Sequence, residues 1–310
     1  MEVKVKAEEK FKIIQQMLSR NNNVLNISWL CEQAGVSRSG YYNWVSSEDY
    51  RNKRDEEDRK DFDTILAAYQ FRGYDKGKRG IYMRLLNTGV RINIKKISRL
   101  MKKFNLVCPI RKANPYRRMA KAIKTNNVAE NLLNREFKSY GARIVLLTDI
   151  TYISYPNGQR AYLSTILDAY TKQILAYVLS ESLELDFVLE TVNILIREHG
   201  ISLTSETLIH SDQGCHYTSV KFQDIISKQK IRQSMSRRGN CWDNAPQESF
   251  FGHMKDEIHL GKCNTFNILK QEIDNYIDYY NNDRYQWNLA KLSPNKYYKY
   301  LETGDYPIKI

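Results

Sequence analysis

Three carboxylates, Asp149, Asp212 and Glu248, stand where a charge is either costly or well placed to act. Asp149 falls inside an apolar, β-branched run, Leu147-Thr148-Asp149-Ile150-Thr151-Tyr152. That is an expensive position for a charge unless something binds it. Asp212 follows the last apolar residues of a short strand, in His210-Ser211-Asp212-Gln213-Gly214, and strand ends commonly present site residues. Glu248 lies in the first turns of a helix that Asn244 is expected to cap, with Pro246 tolerated in the first turn. Three such oxygen donors suit phosphoryl transfer. Hard carboxylate ligands bind Mg²⁺, and two ions about 3.5–4 Å apart can stabilise both the attacking and the leaving oxygens.

Each residue alone has a plainer reading: a turn residue for Asp212, and for Glu248 an acid favoured by the helix macrodipole. Spacing argues for the joint reading. Between Asp212 and Glu248 lie 35 residues, and Lys255 follows Glu248 by seven positions. Two helical turns put Glu248 and Lys255 on one face, roughly 10 Å apart along the axis. That is too far for an ion pair and suited to a lysine holding a phosphate beside the carboxylates. Asp168 ends a strand at Asp168-Ala169-Tyr170 and is expected to serve a turn or a hydrogen bond, outside the site.

The elements that would position these groups follow from periodicity. Residues 144–155, 160–169 and 173–179 are rich in β-branched and aromatic side chains, with an Asn157-Gly158 turn between the first two. Helical spacing over 187–199, 220–228 and 245–259 alternates with short strands at 207–211 and 231–236. Three antiparallel strands followed by alternating helices and strands predict an α/β layer on a mixed five-stranded sheet. Leu269, Ile273, Tyr276, Ile277 and Tyr280 give a last amphipathic helix.

Upstream the chain reads as all-α. Residues 5–20 carry Phe11, Ile14 and Leu18 on one stripe. Residues 26–44 contain a short helix, a turn at Gly35 and a second helix capped by Ser37, the parts of a helix-turn-helix. Arg38, Ser39 and Tyr42 would sit early on its recognition helix, although a plain two-helix hairpin fits the pattern equally. Residues 46–60 read as a charged linker or a solvated helix surface. Asn93 is placed to cap a helix with Ile94, Ile97, Met101 and Phe104 inside and Lys95, Lys96, Arg99, Lys102 and Lys103 outside. Arg111 to Lys124 reads as a basic extended arm. Three regions result: 1–60 with the helix-turn-helix, 61–130 as a basic helical segment, and 135–300 as the α/β core.

Charge points to the partner. The formal net charge is +13, yet residues 76–129 contain sixteen Lys or Arg and no Asp or Glu. The remainder carries 32 basic against 35 acidic residues, so this stretch accounts for the whole excess. Solvated surfaces normally interleave both signs, whereas 54 residues without a carboxylate suit a phosphate backbone. The N-terminus opens with charges and shows no export signal, and no apolar run is long enough to span a membrane. Five scattered cysteines without a CxxC pair fit a reduced cytoplasmic setting and no structural zinc.

Three segments carry a family resemblance: Thr148-Asp149-Ile150-Thr151-Tyr152; His210-Ser211-Asp212-Gln213-Gly214 with Tyr217; and Gly239 to Ala245 followed by Glu248-Ser249-Phe250-Phe251 and Lys255. Tyr280-Asn281, Arg284, Leu292-Ser293-Pro294 and the segment from Ser28 to Tyr42 extend it over nearly the whole chain. The sequence resembles the second-frame transposases of the insertion-sequence-three family, in the Asp-Asp-Glu transposase and retroviral-integrase superfamily. The resemblance implies an RNase H-like catalytic core and DNA strand cleavage followed by transesterification at the ends of an insertion sequence. It makes Asp149, Asp212 and Glu248 ligands of two Mg²⁺ ions, with Mn²⁺ able to substitute. It further implies double-stranded DNA as partner, a homo-oligomer on DNA and partnership with an upstream-frame product. Leu146 stands where the family usually has Trp, and residues 72–84 depart from its usual Tyr-Gly-Tyr-Arg-Arg pattern. Two other readings stay open from the residues alone: a non-catalytic helix-turn-helix regulator and an RNase H-type nuclease.

Overall fold

The computed structural model describes residues 5–20, 25–74, 76–108, 133, 140–156, 158–236 and 244–308. The arm from Arg111 to Lys124, the segment from Gly239 to Asp243 and the turn residue Asn157 lie outside them. Two compact units are present, residues 1–64 and 65–310.

In the first unit, α1 (Ala7–Leu18), α2 (Ile27–Gln33) and α3 (Arg38–Ser46) bury Phe11, Ile14, Leu30, Cys31 and Tyr41 against one another. The two expected helices and the turn between them are there. Asn26 Oδ1 accepts from the Trp29 amide at 2.9 Å and Ser37 Oγ from the Gly40 amide at 3.1 Å, so each helix start has a side-chain acceptor. Gly35 takes φ +64° in the turn, a conformation that favours glycine. The segment expected as linker or helix surface is helical except at the turn residue Ser47, most of it within the 23-residue α4 (Glu48–Gln70).

The second unit begins with a helix pair, α5 (Lys78–Asn87) and α6 (Ile94–Lys103), joined by a turn in which Gly89 has φ +83°. Asn93 Oδ1 accepts from the Lys95 amide at 2.8 Å, as its position predicts. Ile81, Met83, Leu85, Ile97 and Leu100 are buried. Tyr74, just before the pair, packs its ring 5.3 Å from Tyr276 and 4.6 Å from Tyr279.

The sheet contains β1 (Val145–Tyr155), β2 (Gln159–Asp168), β3 (Ile174–Ser180), β4 (Leu208–Ser211) and β5 (Arg232–Met235) in the order β3-β2-β1-β4-β5. The first three pair antiparallel, and β4 and β5 join in parallel, giving the mixed sheet expected. Alternation along β1 divides its side chains between two layers. Leu146 and Ile150 pack with α7 (Leu185–His199) and α8 (Val220–Lys228). Val145, Leu147, Ile153 and Tyr155 pack with α9 (Ala245–Glu257) and α10 (Phe266–Asn282).

One further helix, α11 (Pro294–Thr303), was not expected, because α10 was read as the last. Its Pro-Asn-Lys-Tyr-Tyr-Lys-Tyr sequence has no aliphatic stripe and only Pro294 is buried. What holds it is polar: Asn295 Oδ1 accepts from Gln173 Nε2 at 2.8 Å, and the Arg143 guanidinium lies 4.2 Å from the Tyr298 ring centre.

Asp168 fulfils the structural role expected of it. Fully buried, it accepts from the amides of Arg143, Tyr170 and Thr171 and from Arg143 Nη1, all at 2.8–3.0 Å. No carboxylate oxygen is left over for a ligand role.

Candidate active site

Register brings the first two carboxylates together. β1 and β4 run parallel with Leu147 beside His210. Two residues further along each chain place Asp149 and Asp212 side by side, on strands about 4.8 Å apart. The same parity points Asp149 to the layer of α9, and in the antiparallel pairing its neighbour across β2 is Thr165.

The third carboxylate arrives on α9, which is fixed to those strands by two side chains just before it. Gln247, fully buried, donates its Nε2 to Thr165 Oγ1, the group directly opposite Asp149. Asn244 donates its Nδ2 to the Thr148 carbonyl at 3.4 Å. This corrects the capping role expected of Asn244, since no side-chain cap bond is made. Its φ and ψ of −125° and 28° are not the extended values that turn a cap side chain over the helix amides. Phe250, Phe251 and Met254 bury the helix below Glu248, which is itself exposed.

Electrostatics record the convergence. Partial burial, then the Asp212 charge and more weakly the Glu248 charge, push the Asp149 carboxyl up to about 7; the Ile150 amide and Lys255 oppose them. Lys255 therefore lies near enough to act on Asp149. Its ammonium sits 4.8 Å from the Tyr152 ring centre, and burial draws its pKa down.

The donor set suits a hard divalent ion. Asp149 Oδ1 accepts from the Ile150 amide at 2.8 Å and Asp212 Oδ1 from the Gly214 amide at 2.9 Å. Each keeps its second oxygen without a donor among the described residues. Gly214 is required for this seat, because a Cβ there would lie 2.8 Å from Asp212 Oδ1. Among the described residues no three acidic, imidazole or thiol groups converge closely enough to enclose one ion. The trio is therefore brought to one corner of the sheet without being closed around a centre.

The residues expected to meet nucleic acid fall on three helices, with Lys255 on α9. Arg38, Ser39 and Tyr42 are exposed at the start of α3. On α6, Lys95, Arg99, Lys102 and Lys103 are exposed and Lys96 is half-buried. Lys95, Arg99 and Lys102 line a groove of about 500 Å³ with Lys78 and Arg79 of α5, two residues that sequence reading did not single out. Gln247 was also missed, and only its place beside Glu248 could have signalled it. Among the described residues no helix is long and apolar enough to cross a membrane.

Comparison with known proteins agrees with this architecture. The chain matches the family model described as integrase core domain over residues 140–241 and again over 248–300. It matches an HTH-like domain over 55–114, which takes in α5 and α6. The basic helix α6 and the turn at Gly89 thus fall inside the HTH-like match. An uncharacterized transposase-like protein of Haemophilus influenzae is 36% identical over 68% of this chain and 95% of its own length. The insertion element IS600 uncharacterized 31 kDa protein of Shigella sonnei is 31% identical over 86% of this chain and 96% of its own. Among solved structures, the HTLV-2 integrase catalytic core domain in complex with magnesium aligns with 50% of this chain and 95% of that one. The identity is 16% and the TM-score 0.37. The chain belongs to the insertion-sequence-three family of transposases within the integrase superfamily, and is a transposase and a nucleic-acid-cleaving enzyme.

Proposed function

We propose that Asp149, Asp212 and Glu248 form an Asp-Asp-Glu centre that cleaves and then joins DNA strands at the ends of an insertion sequence. The observation that carries this reading is the parallel register of β1 with β4, which sets Asp149 beside Asp212, with the start of α9 and its Glu248 tied to β1 and β2 by Asn244 and Gln247. Two further carboxylates are held beside a partly buried one, with Lys255 as the opposing cation, and such an arrangement is costly unless a metal ion belongs there. Oxygen-only donors with spare lone pairs on Asp149 and Asp212 fit Mg²⁺, with Mn²⁺ as a substitute and two ions as the stoichiometry. When bound, the ions would supply hydroxide from water near neutral pH and stabilise the attacking and leaving oxygens.

The chain's own groups do the positioning. Gln247 and Asn244 tie the start of α9 to β2 and β1, which sets where Glu248 stands relative to Asp149. Lys255 neutralises part of the local negative charge and is placed to hold a DNA phosphate. Arg38, Ser39 and Tyr42 on α3, and Lys95, Lys96, Arg99, Lys102 and Lys103 on α6, bind double-stranded DNA at the element ends and target. Residues 1–60, 61–130 and 135–300 serve respectively as recognition region, basic DNA-binding region and catalytic core. Synapsis of two ends calls for a homo-oligomer on DNA, and an upstream-frame product is a candidate partner.

Asp149→Asn, Asp212→Asn and Glu248→Gln test the reading on the purified full chain. Each is expected to abolish Mg²⁺-dependent strand joining while DNA binding in a gel-shift assay survives. Joining at the wild-type rate by any one of them would remove that residue from the centre.

A further inference from the structure

A second groove, of about 710 Å³, shares Lys78 and Arg79 with the groove along α6 and extends to Ser249 and His253 on α9. Ser249 is the residue after Glu248, so the two grooves form one path from the basic helix to the helix that carries the third carboxylate. The acids within it are already committed. Glu257 holds Arg284 at 2.7 Å, and Asp283 holds Arg72 at 3.1 Å and Arg84 at 3.5 Å. Lys78 and Arg79 are exposed and have no carboxylate partner among the described residues, so the path presents positive charge.

Over this path stands Trp287, with 48% of its surface open to solvent. Two cations flank its ring, Arg79 at 5.8 Å and Lys291 at 5.3 Å from the ring centre, and the Tyr82 ring lies 6.2 Å away. The loop that carries it is braced. The Gln286 amide donates to the Leu292 carbonyl at 2.9 Å, Asn87 Nδ2 to the Lys291 carbonyl at 2.9 Å, and Tyr306 Oη to the Ala290 carbonyl at 2.8 Å. Ala290 and Lys291 take φ of +52° and +63°, two successive left-handed residues that are neither glycine nor asparagine. Such conformations persist only where the surroundings impose them. The indole is thus presented on a rigid support and left half uncovered.

A rigid aromatic face flanked by cations, in a groove whose carboxylates are spoken for, recognises a ligand that is anionic and carries flat rings. We propose that this groove seats the end of a DNA strand and that Trp287 stacks on one unpaired base of it, next to the reacting phosphodiester. A base inside a duplex offers no free face, so the site selects a frayed or single-stranded end. The inference rests on the reading of α6 as a DNA-binding helix.

The experiment uses the full chain and two fluorescent probes of equal length, an oligothymidylate and an abasic oligonucleotide with the same phosphates and no bases. Trp287→Ala is expected to weaken oligothymidylate binding about ten-fold, the size of one base stack, and to leave the abasic probe unchanged. Trp287→Phe should restore most of the loss. Arg79→Gln with Lys78→Gln should weaken both probes alike. Equal loss on both probes with Trp287→Ala, or no loss on either, overturns the proposal. A Lys95→Gln, Lys96→Gln, Lys102→Gln, Lys103→Gln variant is measured alongside. If it weakens both probes while Trp287→Ala weakens neither, the stacking proposal fails and the role of α6 stands. If it weakens neither, the role of α6 fails, and the difference between probes in Trp287→Ala still decides the proposal.

Discussion

Replacing Asp149 by asparagine should make the metal-free protein more stable. An acid moved from 3.8 to about 7 by the fold costs that fold, when ionised, on the order of 4 kcal/mol. Asp149 is only partly buried, and solvent screening reduces the figure to about 2 kcal/mol. The sign follows from proton binding. Below about pH 3 the carboxyl is protonated in folded and unfolded chains alike and imposes no penalty. As pH rises from about 4 to about 7 the unfolded chain ionises while the folded one resists, so stability is lost across that window and the penalty is constant above it. Asparagine has no such window. Urea denaturation in EDTA at pH 8 is expected to show Asp149→Asn more stable by about 2 kcal/mol, through a higher midpoint at unchanged slope. At about pH 4.5 the difference should fall well below 1 kcal/mol. Added Mg²⁺ should then stabilise the wild type and leave the variant nearly unmoved. A variant less stable than wild type at pH 8 in EDTA, or an equal gain at both pH values, would refute the idea that Asp149 is held against its neighbours' charge.

Three other outcomes are expected. Gly214→Ala puts a methyl 2.8 Å from Asp212 Oδ1 and must displace that carboxylate. Strand joining should fall roughly 10–100-fold, as when a ligand's support is disturbed, while the thermal midpoint moves little; unchanged joining would show that Asp212 has another seat. Neutralising Lys95, Lys96, Lys102 and Lys103 should flatten the slope of log binding constant against log salt by about one unit for each phosphate no longer neutralised. An unchanged slope would exclude α6 from the interface. Arg284→Met takes the guanidinium away from Glu257, which stays in a mostly buried site with the Tyr276 hydroxyl, 3.0 Å away, as its hydrogen-bond donor. The expected cost is about 3–5 kcal/mol in urea denaturation, and a loss below about 1 kcal/mol would mean that Glu257 finds water instead.

The strands, their antiparallel start and the helices against them were legible because the sheet has two buried faces and the periodicity of each element survives in the sequence. Local caps were legible where the acceptor lies two or three residues from its amide, as for Ser37 and Asn93. Asn244 was misread because its partner, the Thr148 carbonyl, is 96 positions away. Gln247 was invisible for the same reason, since a buried amide aimed at Thr165 looks in sequence like any polar residue of a first helical turn. The helix α11 was missed because polar and aromatic contacts, and no aliphatic stripe, hold it in place. For the trio, types and spacing were readable, but that Lys255 acts on Asp149 came only with the packing of α9 on β1.

The parallel pairing of β1 with β4 limits how this chain can change in length. Asp149 stands two positions beyond Leu147, the last residue of β1 registered against β4, and its face is set by counting in twos. A single residue inserted between Leu147 and Asp149 would turn the carboxylate into the layer of Phe187 and Phe222, away from Glu248. Two inserted residues would keep the face but carry the group past Asp212. The hairpin tip at Gly158, or the connection between β3 and α7, lies outside this counting and can lengthen without moving any of the three. Insertions and deletions among active relatives should therefore collect at those loops and be absent between Leu147 and Asp149.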